Sequence, residues 1–158
     1  THIRFHLARG NALTRHLAGL PCLAVIHGPD AYVSAHDYAA TGQVPTWNYV
    51  AIELEGTATA LDDDGLHQFL TDLAAQQDTR IGQSQPWTAE SMDRRTYDQL
   101  FRAISGFEMR ITAWRPTFKL SQNKPDADHA AVASALEQRG HGAVAQLMRH
   151  LPSLREKA

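Results

Sequence analysis

Apolar positions along this 158-residue chain change period several times, and each change predicts an element. Ile3, Phe5 and Leu7 alternate with Arg4, His6 and Ala8, so the chain opens inside a half-buried strand. Asn11 is a suitable cap for a helix carrying Leu13, Leu17 and Leu20 on one face, which Pro21 would stop. Residues 22–26 read as a short strand buried on both faces. His27-Gly28-Pro29-Asp30 reads as a turn, and residues 31–34 as a second short strand. Residues 35–44 contain Gly42 and no apolar period, which predicts a mobile loop. From Trp47 the chain alternates again: Val50, Ile52 and Leu54 face one way, Tyr49, Glu53 and Glu55 the other. This half-buried strand continues past a bend at Gly56 to residue 61.

Helical spacing then takes over. Asp62 or Asp63 caps a helix with Leu66, Phe69, Leu70 and Leu73 on one stripe. A polar loop over residues 82–87 precedes a second stripe of Tyr97, Leu100, Phe101 and Ile104, ended by Gly106. Phe107, Met109, Ile111 and Ala113 alternate as a strand that Pro116 should stop. Asp126 or Asp128 caps a helix to Gln138, and a last helix carries Val144, Leu147, Met148 and Leu151. Strands and helices interleave without regular βαβ spacing, so the pattern predicts an α+β fold, mainly antiparallel β, with peripheral helices. Residues 1–158 are one domain's worth of chain, with 126–158 as its C-terminal helical extension.

Composition narrows the function classes. The 43% hydrophobic and 20% charged content is ordinary for a globular protein, which sets disorder aside. A net charge of −2 argues against strong attraction to nucleic acid or an anionic membrane. Cys22 is the one cysteine, so no intrachain disulfide or Cys-based zinc site exists, and a reducing cytoplasm is expected. No apolar stretch approaches the ~20 residues of a membrane span.

Two runs stand out from the packing pattern: Val44-Pro45-Thr46-Trp47-Asn48-Tyr49 and Phe118-Lys119-Leu120-Ser121-Gln122-Asn123. Each sets cationic, hydroxyl, amide or indole groups side by side, and such groups cost free energy if buried without partners. They read as a ligand site. Together with His6-Leu7-Ala8-Arg9-Gly10-Asn11 and Gly28-Pro29-Asp30-Ala31-Tyr32-Val33-Ser34, in this order, they resemble the PaiB-type FMN-binding family, whose members are often labelled negative transcriptional regulators. The resemblance covers most of the chain. It implies an FMN-binding split β-barrel with peripheral helices, related to the pyridoxamine 5'-phosphate oxidases, normally a homodimer with ligand sites at the subunit interface. Relatives of this type carry further strands before the first motif, so N-terminal strands are expected to be missing here. One departure is plain: Ser34-Ala35-His36-Asp37-Tyr38 stands where relatives read Ser-Pro-Ser-Trp-Tyr, which removes an aromatic beside Ser34.

The candidate cofactor-binding residues follow from these motifs. Arg9, at a strand end before a helix cap, suits a phosphate monoester, with His6 and Asn11 as helpers; a surface Arg pairing with an acid is the alternative. Trp47 can wall a flavin ring and Asn48 can hydrogen-bond it, beside Thr46 and Ser34; equally, Trp47 suits a core or dimer interface and Asn48 a turn. Lys119, Ser121, Gln122 and Asn123 offer a cation, a hydroxyl and two amides to a phosphate, ribityl chain or pyrimidine edge. Otherwise they form a turn in which Lys119 pairs with Glu108 or Asp126.

Other chemistries find less support. His2 and His6 are about 13 Å apart along a strand, too far for one ion, and no other histidine shows ligand spacing with carboxylates, so no metal site is expected. Haem stays open as an alternative because some split-barrel relatives bind it. No acid, base or nucleophile is singled out, as expected if a flavin carries any redox chemistry or if the chain only binds a small ligand. Arg149, His150, Arg155 and Lys157 make a weak basic cluster without a groove-reading helix, so a regulatory role through direct DNA contact is doubtful.

Overall fold

The computed structural model describes residues 1–150. Four strands form one antiparallel sheet: β1 (His2–Ala8), β2 (Pro21–Val33), β3 (Thr46–Ala60) and β4 (Ile104–Lys119), in the order β1-β4-β3-β2. Four α-helices accompany them: α1 (Asp63–Arg80), α2 (Arg94–Arg102), α3 (Asp126–Gln138) and α4 (Gly142–His150). The fold class is the expected one, an α+β split barrel built on an antiparallel sheet. By contacts the chain divides into two compact units, residues 1–23 with 54–113, and residues 24–53 with 114 onward.

In the first unit β1 runs antiparallel to β4, with Phe5 opposite Phe107 and the two rings stacked at 5.6 Å. Phe107, Met109, Ala58, Leu66 and Phe69 are buried here. Asp62 caps α1 by accepting from Gly65 N–H at 2.8 Å, as the sequence predicts. Gly56 is needed because a Cβ there would collide with the Arg110 carbonyl, so β3 passes closer to β4 than any side chain would permit. In the second unit α3 and α4 bury Val132, Ala133, Leu136, Val144, Ala145 and Met148 against Ala31, Val33, Tyr38 and Leu120. Full burial of such a side chain contributes roughly 1.5–3 kcal/mol.

Several boundaries differ from the pattern. The helix expected from Asn11 is only a 3-10 turn, Ala12–Arg15. Its leucines find no face to cover, Leu13 and Leu20 being exposed, and ten residues are too few for a helix to stand unpacked. Pro21 opens a strand instead of ending a helix, and β2 runs unbroken through Gly28-Pro29. A Cβ on Gly28 would lie 3.2 Å from Val50 O, so glycine allows β3 close, and Pro29 is tolerated because β2 is the edge strand. Leu23, Val25 and Ile26 are exposed, not buried on both faces. Strand β4 starts at Ile104, taking the end of the predicted helix, and passes Pro116, beyond the stretch that β1 pairs with. Pro125, not an aspartate, precedes α3; Asp128 is buried and bonded elsewhere. Leu151, Arg155 and Lys157, counted in the sequence pattern, lie outside the described residues.

Candidate functional site

Strand β3 presents its even and odd residues to opposite faces, and the two faces make two different surfaces in the second unit. On the even face, Thr46 and Asn48 meet the turn that follows β4, 73 residues on. Lys119 Nζ donates to Thr46 Oγ1 at 2.8 Å. Asn48, with no exposed surface, donates through Nδ2 to Ser121 Oγ at 3.0 Å and accepts from that hydroxyl at 3.1 Å. Ser121 holds φ at +58°, a left-handed conformation that costs a non-glycine residue about 1 kcal/mol or more. The turn fastens itself: Gln122 Oε1 accepts from Leu120 N–H at 2.7 Å and its Nε2 donates to Phe118 O at 2.6 Å.

These groups line a pocket of about 170 Å³ with Tyr38, Val44, Asn123 and Lys124. Lys124 Nζ donates to Gln43 Oε1 at 2.8 Å and lies 5.1 Å from the centre of the Tyr38 ring. Burial pushes the Tyr38 hydroxyl above the usual tyrosine range, against the opposing pull of its hydrogen bond with Ser121, so it stays a donor.

The wall beside this pocket comes from residues 35–44, predicted as a mobile loop and found tied down. Ser34 caps a short 3-10 turn in a reciprocal capping box with Asp37. Asp37 is then gripped by both terminal nitrogens of Arg139, each at 2.6 Å, and that guanidinium holds the Asp37 carboxyl below the usual aspartate range. Further on, Asp128 Oδ1 accepts from Ala40 N–H at 2.8 Å and Oδ2 from Gln43 Nε2 at 3.4 Å.

The odd face is different in kind. Trp47, Tyr49, Ala51 and Glu53 line an open groove of about 570 Å³ with Val25, His27, Asp30 and Thr117. Trp47 is 53% exposed and meets the Tyr32 ring edge-on at 5.9 Å. Glu53 pairs with Arg115 at 3.0 Å.

The eleven sequence-predicted residues therefore fall into four places. Thr46, Asn48, Lys119, Ser121, Gln122 and Asn123 gather at the small pocket. Of these, Asn48 exposes no atom to a ligand as the chain stands, and Lys119 pairs with Thr46, not with Glu108 or Asp126. Trp47 stands apart on the other face of its strand, and Ser34 serves as a cap. His6, Arg9 and Asn11 belong to the first unit. Arg9 Nε donates to Ile104 O at 3.0 Å and lines a 330 Å³ cavity with Asp63, Asp64, His67, Tyr97 and Arg102. Asn11 Oδ1 caps the 3-10 turn through Leu13 N–H at 3.0 Å, and the His6 ring lies 6.1 Å from Phe69. Tyr38, Lys124 and Gln43 went unforeseen; only Lys124, next in line after Asn123, carried a signal.

No three His, Cys, Asp or Glu side chains gather in metal-binding fashion among the described residues, and no described helix is long and apolar enough to cross a membrane.

Comparison with known proteins bears on the family and the fold. A family profile described as "Putative FMN-binding domain" matches residues 1–113. "Protease synthase and sporulation protein PAI 2" of Bacillus subtilis is 28% identical over 137 residues, 86% of this chain and 65% of the relative. An uncharacterized protein of Emericella nidulans is 29% identical over 152 residues, covering 85% of this chain and 61% of its own length. The chain thus spans less than two thirds of the length of these curated relatives. Among solved structures, the FAD and heme binding protein from Mycobacterium smegmatis shares the fold, with a TM-score of 0.52 at 18% identity over 84% of this chain and 60% of the other. With the family profile matched over more than half its length, this chain belongs to the FMN-binding domain family that the PaiB-like motifs indicated.

Proposed function

We propose that this chain is an FMN-binding split-barrel protein of the PaiB type, acting as a homodimer, with any effect on transcription exerted through the bound ligand or a protein partner. The observation that carries the reading is the Lys119 pocket. Its two ammonium groups, the Thr46 hydroxyl and the Asn123 amide suit a phosphate monoester, and its 170 Å³ is too small for a flavin ring. The groove on the other face of β3 suits the ring: Trp47, Tyr49 and Val25 offer a flat apolar wall. The residues present therefore fit FMN at both its ends, Lys119, Thr46 and Asn123 toward the phosphate, Trp47 and Tyr49 toward the ring.

Thr46 and Trp47 leave opposite faces of one strand, so an FMN that uses both surfaces takes its phosphate contacts from one copy and its wall from a second. Bound flavin would supply one- and two-electron redox chemistry. The chain's own part is to bind, orient and exclude water. Direct DNA contact is the less supported route to regulation. The net charge is −2, and Arg149 is bonded to Glu137 at 2.6 Å, which removes much of the basic cluster.

Flavin titrations test the reading. Purified protein should show a flavin spectrum, with a Soret band as the contrary result. Lys119→Ala should weaken FMN by about 1.5–3 kcal/mol and leave riboflavin, which lacks the phosphate, unchanged. Equal loss of both ligands would make Lys119 structural. Light scattering that finds a monomer with full FMN affinity would refute the two-copy site.

A further inference from the structure

We propose that the cleft between α1 and α2, in the first unit, is a recognition site for a small zwitterion: a free α-amino acid with an apolar side chain. Its carboxylate meets Arg9 and Arg102, and its ammonium meets Asp63 and Asp64. The 330 Å³ space is lined by one face of each helix. Asp63 and Asp64 lie four and three residues before His67 on α1, and Arg94, Tyr97, Asp98, Phe101 and Arg102 repeat that spacing along α2. A clasp joins the two faces: the Tyr97 hydroxyl and His67 Nδ1 are 2.6 Å apart with their rings edge-on, and Tyr97 stacks on Phe101 at 5.6 Å. Burial pushes the Tyr97 hydroxyl above the usual tyrosine range, so it stays the donor of that bond.

Charge placement sets the ligand class. Arg94 is matched by Asp98 at 3.0 Å. Among the described residues, neither Arg9 nor Arg102 has a carboxylate within ion-pair distance, and neither Asp63 nor Asp64 has a cation. Asp62, not these two, caps α1. Arg9 is aimed by the main chain: its N–H donates to Ala103 O at 2.8 Å and its Nε to Ile104 O at 3.0 Å, which brings it to the end of α2 where Arg102 stands. Two cations and two acids thus line one cleft without neutralising one another. A simple anion would satisfy the arginines and face the aspartates as like charges, and a simple amine would do the reverse. A molecule carrying both charges satisfies both sets at once. The cleft holds roughly eleven water volumes at ~30 Å³ each, enough for an amino acid, and Phe101 offers its side chain an apolar wall. None of these residues lines the Lys119 pocket or the Trp47 groove, so this site is independent of the flavin reading.

Calorimetric titration of the purified chain reads the site, with L-phenylalanine, L-leucine, hydrocinnamate (which lacks the ammonium), phenethylamine (which lacks the carboxylate) and inorganic phosphate as probes. Phenylalanine should bind with a Kd of about 0.1–1 mM, as expected of so small a ligand, and each half-charged analogue about tenfold more weakly. Arg102→Gln should weaken phenylalanine and hydrocinnamate alike by about tenfold, and Asp63→Asn combined with Asp64→Asn should do the same to phenylalanine and phenethylamine. All three side chains are exposed, and thermal melts check that both variants fold. Phenylalanine and leucine both binding more weakly than about 10 mM would overturn the site. So would hydrocinnamate, phenethylamine or phosphate binding as tightly as phenylalanine, or full phenylalanine affinity in both folded variants.

Discussion

Replacing Arg139 by alanine should be the most informative single change for stability. Two guanidinium nitrogens sit 2.6 Å from the two Asp37 oxygens, and Asp37 is 8% exposed. Removing the partner of a fully buried carboxylate costs about 3–5 kcal/mol, because a desolvated charge is left behind. The Arg139 side chain is 42% exposed, so water can reach the vacated space, and the Ser34 N–H still donates to Asp37 at 2.8 Å. A loss of about 2 kcal/mol is therefore expected at pH 7. The sign of the pH dependence follows from the depressed Asp37 carboxyl. Stability from a lowered carboxylate pKa is complete above the ordinary aspartate value of about 3.9, and disappears as pH falls through the folded-state value below it. Urea unfolding of wild type and Arg139→Ala should thus differ by about 2 kcal/mol from pH 5 to 7, with the gap closing below about pH 4. Asp37→Asn should lose most of the same increment, and the double mutant little more. A gap that stays constant down to pH 3, or additive losses in the double mutant, would refute the assigned pairing.

Ser121→Ala strips a partner from the buried Asn48 amide and should cost about 1–3 kcal/mol, whereas Ser121→Gly should be milder by about 1 kcal/mol because glycine accepts φ +58° freely; denaturation midpoints that rank glycine below alanine would count against this. Gly56→Ala places a methyl against the Arg110 carbonyl and should cost at least about 3 kcal/mol, read as a fall in melting temperature; a wild-type melting curve would show that β3 and β4 can part locally. Arg9→Ala should leave FMN affinity unchanged if the Lys119 pocket alone holds the phosphate, and titration showing a loss of about 1.5–3 kcal/mol specific to FMN over riboflavin would move the phosphate to the first unit.

Period and capping chemistry made part of this fold legible in advance. The alternation from Trp47 onward announced β3, and Asp62 announced α1, because both signals are local and nothing distant contradicts them. The β2 strand was hidden because Gly28-Pro29 is turn chemistry in most settings; only the close passage of Val50 turns it into strand chemistry. The leucines after Asn11 misled because spacing describes a face without saying whether anything waits to cover it. The meeting of the two polar runs across 73 residues follows from the pairing of β3 with β4. That Thr46 and Trp47 serve different surfaces was implicit in the strand period. The burial of Asn48 against Ser121, and the capture of Ala40 by Asp128, depend on long-range partners that no local pattern encodes.

The Gly28-Pro29 step also bears on how this chain behaves in a crowded solution. Strand β2 lies at the end of the sheet order, thirteen residues long, with Leu23, Val25 and Ile26 exposed along it. Such an edge is a template for runaway strand addition and fibril growth. Pro29 has no N–H, so the row of donors along the edge is interrupted near its middle. An incoming strand can register with one segment or the other and gains little by extending across the gap. The missing donor makes this edge a poorer template for open-ended strand addition.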